Sequence, residues 1–372
     1  MIDYIDPRSG QTWSLAVPRW CGDAGQPLAL TPGPGLRAEH IDPATRSLWR
    51  YRSAFPLPHT IPITMGEGCT PLLKRDLHGG TAHIKCEWFM PTGSFKDRGA
   101  SVMLSMLRAQ GITAILEDSS GNGGAAISAY AAAGGMHATI MAPASTSPAK
   151  TVQMRAHGAT VELIPGTRQD TSAAAETRAS EIFYASHNWH PFFLEGTKTL
   201  AYELWEDLGF RAPDHVIMPC GAGSNVLGCW IGFSDLLRTG AIDRMPRLWA
   251  AQPLNCGPIA AAALGLEPGP TLPTIAEGTA IAAPIRLPEV VAALHNSGGG
   301  AILLSEAEIA AETIHLASLG LYVEPTCAQA AAAFGALQSA GRIAPTETAV
   351  VVLTGTGLKA TPRIATLLGL QL

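Results

Sequence analysis

Paired cysteines are missing from this chain of 372 residues. Its seven cysteines nowhere form Cys-x-x-Cys, so neither a thiolate zinc ribbon nor a disulfide framework is expected. They read instead as small apolar residues in a reducing compartment. Excess positive charge is missing too: 25 basic against 30 acidic side chains leave a formal −5, which argues against nucleic acid as a partner, because phosphate backbones demand basic surface. There is no apolar run of spanning length, and Met1 to Pro7 lacks the basic start and apolar core of a signal peptide. The expectation is a cytoplasmic protein with no membrane partner. No metal is expected either. His187 and His190 are spaced to share a helix face, but Pro191 forbids a continuing helix there and no third ligand is apparent. Packing or substrate contact is the better reading of both.

What is present points to α/β architecture. The length suffices for two cores. Residues 1–60 are rich in proline and turns, such as Thr31-Pro32-Gly33-Pro34-Gly35, and read as an irregular arm. Apolar strands then alternate with alanine-rich helices: Ala138 to Met141 then Pro148 to Ala156, and Val161 to Ile164 then Ser172 to Phe183. That alternation predicts mainly parallel sheets flanked by helices.

Four segments carry chemistry. Pro91-Thr92-Gly93-Ser94-Phe95-Lys96-Asp97-Arg98-Gly99 sets Lys96 in a tight turn. A lysine held in such a turn suits a Schiff base with the aldehyde of pyridoxal phosphate. Asp97 and Arg98 read as a structural ion pair. Ser119-Ser120-Gly121-Asn122-Gly123-Gly124 follows the run Ile112 to Leu116 and precedes Ala125 to Ala133; unpaired N–H groups at that helix start can bind a substrate carboxylate, and Asn122 can meet the cofactor's phenolic oxygen. Pro219-Cys220-Gly221-Ala222-Gly223-Ser224-Asn225 forms a phosphate cradle of glycines and side-chain donors. Val350 to Leu353 is a buried-type strand ending at Thr354-Gly355, where a hydroxyl can meet a pyridine nitrogen without protonating it. Elimination and replacement are then favoured over transamination. Each segment alone also fits a surface lysine, an ordinary capped helix or a strand-end turn. Their order favours the chemical reading.

Taken together, the segments resemble the threonine synthase branch of the fold-type II pyridoxal phosphate enzymes, the superfamily of the tryptophan synthase β chain. Gly66-Glu67-Gly68-Cys69-Thr70-Pro71-Leu72, Leu227 to Phe233, Thr274-Ile275-Ala276-Glu277-Gly278 and Leu321 to Thr326 extend the resemblance over residues 60–362. It implies a two-domain α/β fold, with a smaller domain at 97–205, a larger one at 60–96 plus 206–372, and the cofactor in the cleft between domains. It further implies Lys96 as the catalytic Schiff-base residue with Phe95 beside it, Asn122 on the ring oxygen, Gly221, Ala222, Gly223, Ser224 and Asn225 on the phosphate and Thr354 on the ring nitrogen. Ser119, Ser120, Gly121, Gly123, Phe193 and Glu277 are the expected substrate contacts, and a homodimer is the expected assembly.

Two departures bear on the substrate. The family carries threonine after the asparagine of the second segment, and an Asn-Pro-x-Arg-x-x-Gly-Gln-Lys-Thr stretch whose arginine clamps the substrate phosphate. This chain has Gly123 at the first position and His190-Pro191-Phe192-Phe193-Leu194-Glu195-Gly196-Thr197-Lys198-Thr199 over the second. Phe193 thus stands in place of the arginine, unless Lys150, Arg155 or Arg168 substitutes for it. The reading is a lyase acting at Cβ or Cγ of a small amino acid without the phosphate clamp. Threonine synthase proper, a serine/threonine ammonia-lyase and a cofactor-binding regulatory module are the alternatives.

Overall fold

The computed structural model describes residues 2–56 and 61–371; the expected boundary at residue 60 lies outside them. Short strands β1 (Asp3–Ile5), β2 (Thr12–Ser14) and β3 (Ala29–Leu30) precede the hairpin β4 (Leu72–Leu77) and β5 (Gly80–Cys86). Helices and strands then alternate through α1 (Lys96–Ala109), β6 (Ala114–Glu117), α2 (Asn122–Ala133), β7 (His137–Pro143), α3 (Pro148–Ala156), β8 (Thr160–Ile164), α4 (Arg168–Arg178) and β9 (Phe183–Tyr184). Next come α5 (Pro191–Thr197), α6 (Thr199–Asp207), β10 (His215–Pro219), α7 (Ser224–Arg238), β11 (Arg247–Pro253), α8 (Pro258–Leu264) and α9 (Leu287–Asn296). The chain closes with β12 (Gly300–Leu304), α10 (Glu306–Ser318), α11 (Pro325–Ser339), β13 (Ala349–Leu353) and α12 (Thr361–Leu367).

Two compact units result, residues 1–68 with 96–199 and residues 69–95 with 200–372. The first holds a parallel sheet in the order β8-β7-β6-β9. Its N-terminal segment, expected to be irregular, contains the antiparallel sheet β2-β1-β3, and Tyr4 and Leu28 from it lie in the same apolar core as Ile115, Ile127 and Ile140. The second unit holds the order β12-β11-β10-β13-β5-β4, parallel except for the β4–β5 hairpin.

Burial explains the strand sequences. In β13, Val350 to Leu353 is a continuous apolar run and every residue is buried, as expected where both faces of a parallel sheet are covered. Val351 and Leu353 join a core with Ile309, Leu316, Cys327 and Phe334 of α10 and α11. Val350 and Val352, of opposite parity, are equally buried. The helix expected over Ser172 to Phe183 begins earlier, at Arg168, because Thr167 and Asp170 form a reciprocal capping box. It stops at Arg178, and Phe183 joins β9 beside Ile115. Among the described residues no helix is long and apolar enough to cross a membrane.

Candidate active site

In the first unit, Lys96 opens α1 and is half-buried. Its Nζ lies 5.5 Å from the centroid of the Phe193 ring, within cation–π range. Phe193 is fully buried in α5, which begins at Pro191 where His190 Nδ1 accepts the Phe192 N–H at 3.3 Å. That cap, with proline in the first turn, is why His187 and His190 share no helix face. The Phe193 ring rests on the α1 backbone: a Cβ at Gly99 would come within 2.5 Å of it.

His187 meets Phe193 edge-on, with centroids 5.6 Å apart. Its Nδ1 is 2.7 Å from Glu117 Oε1, and its backbone N–H donates to Glu117 Oε2 at 3.0 Å. Glu117 ends β6, at the carboxyl edge where parallel sheets present their ligand-binding residues. Burial pushes the Glu117 carboxyl well above the usual carboxylate range, and neighbouring Asp118 adds to the effect. Burial likewise pushes His187 well below the usual histidine range, with the Lys96 charge adding to it. The pair is therefore favoured without net charge, sharing one proton between carboxylate and imidazole.

The glycine-rich turn faces this dyad. A Cβ at Gly123 would lie 2.8 Å from His187 Cε1 and 2.9 Å from Ser119 Oγ. The imidazole fills the space a larger residue at 123 would need. Ser119 is buried and accepts the Gly121 N–H at 3.4 Å. Ser120 is half-buried, Gly121 is exposed, and half-buried Asn122 opens α2. Of the three alternative cations, Arg168 opens α4 and its charge acts on both Glu117 and His187. Arg155 reaches the Val161 carbonyl at 3.5 Å, and Lys150 is exposed on α3.

In the second unit, β10 delivers Cys220, Gly221, Ala222 and Gly223 to the start of α7. Gly223 has φ +93°, and a Cβ there would collide with Val290 Cγ2, so only glycine makes this turn. A Cβ on Gly221 would lie 3.1 Å from the Gly278 carbonyl oxygen. Ser224 and Asn225 form the first turn of α7, both buried. Neither the amide nitrogen nor the amide oxygen of Asn225 has a partner. A buried unpaired polar group costs about 1–3 kcal/mol, and this one lies where helix N–H groups also favour an anion. A phosphate fits.

Thr354, at the end of β13, is buried, and its hydroxyl makes a 3.6 Å contact with Cys327 Sγ. That thiol accepts the N–H groups of Thr354 and Gly355, each at 3.1 Å, and burial pushes its pKa up to about 12. Half-buried Phe95 donates its N–H to the Thr354 carbonyl at 3.0 Å. Adjacent Ser94 bridges to Gly355, and its buried hydroxyl has no partner. Glu277 is exposed and pairs with Arg363 at 3.1 Å.

Sequence reasoning missed Glu117, weighed His187 as a metal ligand, packing residue or substrate contact but not as half of a proton-sharing pair, and gave no role to Ser94 or Cys327. Glu117 carried a signal, a carboxylate closing the apolar run Ala114 to Leu116. Cys327 carried none.

A family profile described as "Pyridoxal-phosphate dependent enzyme" matches residues 63–355. The threonine synthase of Methanosarcina acetivorans is 33% identical over 325 residues, covering 84% of this chain and 80% of that protein. The threonine synthase of Mycobacterium tuberculosis is 34% identical over 319 residues, covering 83% and 87%. Among solved structures, maize serine racemase superposes with a TM-score of 0.67 at 21% identity, covering 81% of this chain and 92% of that one. Processed threonine deaminase isoform 2 of Solanum lycopersicum gives 0.68 at 21%, covering 81% and 83%.

Proposed function

The chain belongs to the family of pyridoxal-phosphate dependent enzymes that includes the threonine synthases, and on that premise we propose that it is a lyase eliminating or replacing an unphosphorylated group at Cβ or Cγ of a small amino acid. One observation carries this reading. Phe193, placed where the resemblance puts a phosphate-clamping arginine, is wholly buried against α1 beside Lys96. A phenyl ring offers a phosphate no hydrogen bond, whereas arginine offers two charge-assisted ones.

Pyridoxal phosphate, when bound, supplies an electron sink for negative charge developing at the substrate Cα. Lys96 would hold it covalently, Gly221 to Asn225 its phosphate, Asn122 its ring oxygen and Thr354 its ring nitrogen. Lys96 Nζ is the base for the Cα proton. The Phe193 ring keeps water from one side of that amine. The net-neutral Glu117–His187 pair carries one proton at Nε2 and another shared between the carboxyl and Nδ1; it can give up the first while the second passes wholly to Nδ1, leaving a carboxylate. A hydroxyl leaving group needs such a proton; a phosphate does not. The N–H groups of the Ser119 to Gly123 turn suit the substrate carboxylate.

Threonine synthase proper is the second reading, favoured by the relatives at 33% and 34% identity and by Arg168, whose charge reaches the dyad. The test is competition. With serine or threonine as substrate, O-phosphohomoserine should inhibit only weakly, since an unclamped buried phosphate forfeits about 2–5 kcal/mol. Inhibition at concentrations far below the KM of the hydroxy amino acid would favour the second reading, and its loss in Arg168→Gln would identify the clamp. The resemblance also carries a homodimer, which sedimentation would show as twice 38.8 kDa.

A further inference from the structure

Among the described residues, a second cluster of titratable side chains lies in the second unit and has no part in the chemistry above. The β4–β5 hairpin pairs Leu77 with Gly80, leaving a two-residue turn of His78 and Gly79 with φ of +50° and +78°. Both signs are those of a type I′ turn, whose first position is ordinarily given to asparagine, aspartate or glycine. Histidine there is costly in conformation and needs another reason. Its imidazole reaches α10, where Glu312 and His315 stand three residues apart on one face.

The geometry is that of a ligand set. His78 Nε2 lies 3.0 Å from Glu312 Oε2, and His315 Nδ1 lies 3.3 Å from both carboxylate oxygens. All the donor atoms fall within 4.8 Å of one another, and the two rings have centroids 5.2 Å apart. Donors at roughly 2.0–2.1 Å around a tetrahedral ion stand about 3.3 Å from each other, so small side-chain rotations would close the set on a metal. The carboxylate is 6% exposed while the imidazoles are 30% and 39% exposed, which leaves an entry path for an ion and a water. Room for the ring is built in: a Cβ at Gly335 of α11 would lie 2.9 Å from His78 Cδ2.

We propose that His78, Glu312 and His315 bind one divalent ion of the zinc class, completed by water, and that this ion clips the β4–β5 hairpin to α10. Two imidazoles and one carboxylate suit zinc, cobalt or nickel and do not suit magnesium or calcium, which take oxygen ligands. The ion is remote in role from the lyase chemistry. It secures an edge strand, the part of a sheet most in need of securing.

Cobalt(II) titrated into chelator-treated, cofactor-loaded enzyme tests the proposal. One ion per chain should bind, with the visible bands of tetrahedral cobalt, and zinc but not magnesium should displace it. Thermal melting should rise on zinc addition. His78→Asn keeps a residue suited to the turn and His315→Asn keeps the helix; each should weaken cobalt binding by more than about 100-fold, the upper end for losing a mere supporting partner. Each should also abolish the zinc-induced rise in melting temperature while turnover without zinc stays unchanged. Absence of saturable binding, or an unchanged spectrum in both variants, would overturn the proposal.

Discussion

At the scale of single residues, the proposed chemistry turns on groups whose neighbours set their protons. The position of Lys96, at a turn opening α1, is legible in sequence because that turn is distinctive. The Glu117–His187 pair is not, because its partners lie 70 residues apart and come together only at the edge of a folded sheet. Replacing His187 by Gln keeps a hydrogen-bonding side chain but no proton relay. His187→Gln should retain exchange of the substrate Cα hydrogen with deuterated water while eliminating about 10²–10⁴ times more slowly, the range for removal of a general acid. Equal loss of both would make the role structural. A second residue reports on stability alone. Glu347 accepts the Ala344 N–H at 2.8 Å and pairs with His215 and Arg247 at 3.0 and 2.9 Å, which lower its pKa to about 2 from an ordinary 4.5. The unfolded chain binds a proton there that the folded chain refuses, so this stabilisation is present above the ordinary value and disappears as pH falls toward about 2. Urea midpoints of the wild type should therefore fall more steeply over that window than those of Glu347→Gln; parallel profiles would show that the pair contributes nothing.

At the scale of elements, β13 and the start of α7 are legible because their signals are local. Four consecutive apolar residues before Thr354 predict a strand covered on both faces, and Gly223 predicts a close glycine turn; both are found. The start of α4 escapes the alanine pattern because a capping box at Thr167 outweighs the run that follows. The seat of Phe193 is also beyond local reading, since it depends on a glycine at position 99 that lets the ring lie on α1. Leu353 is fully buried one residue before Thr354. Leu353→Ala should lower stability by about 2–5 kcal/mol, measured by denaturant titration, and loosen the thiol-bridged turn that fixes Thr354. A change below about 1 kcal/mol would mean that the strand repacks freely.

At the scale of the whole molecule, family membership and the α/β fold agree with the order of motifs along the chain, while the proposed substrate rests on two positions where the chain departs from the family pattern. Gly123 is coupled to His187: no side chain fits at 123 while the imidazole is in place. Phe193 stands where the resemblance puts a cation. The consequence proposed for Phe193 is read from the sequence, whereas that of Gly123 is not, because it acts through His187, a neighbour distant along the chain. The most direct measurement is product analysis of the cofactor-loaded enzyme, offered O-phosphohomoserine in one reaction and serine or threonine in the other, with phosphate, threonine, ammonia and oxoacid all quantified. Ammonia and oxoacid, or a replacement product, from the hydroxy amino acid, with negligible phosphate from O-phosphohomoserine, is the predicted result. Efficient release of phosphate with threonine as product would contradict it.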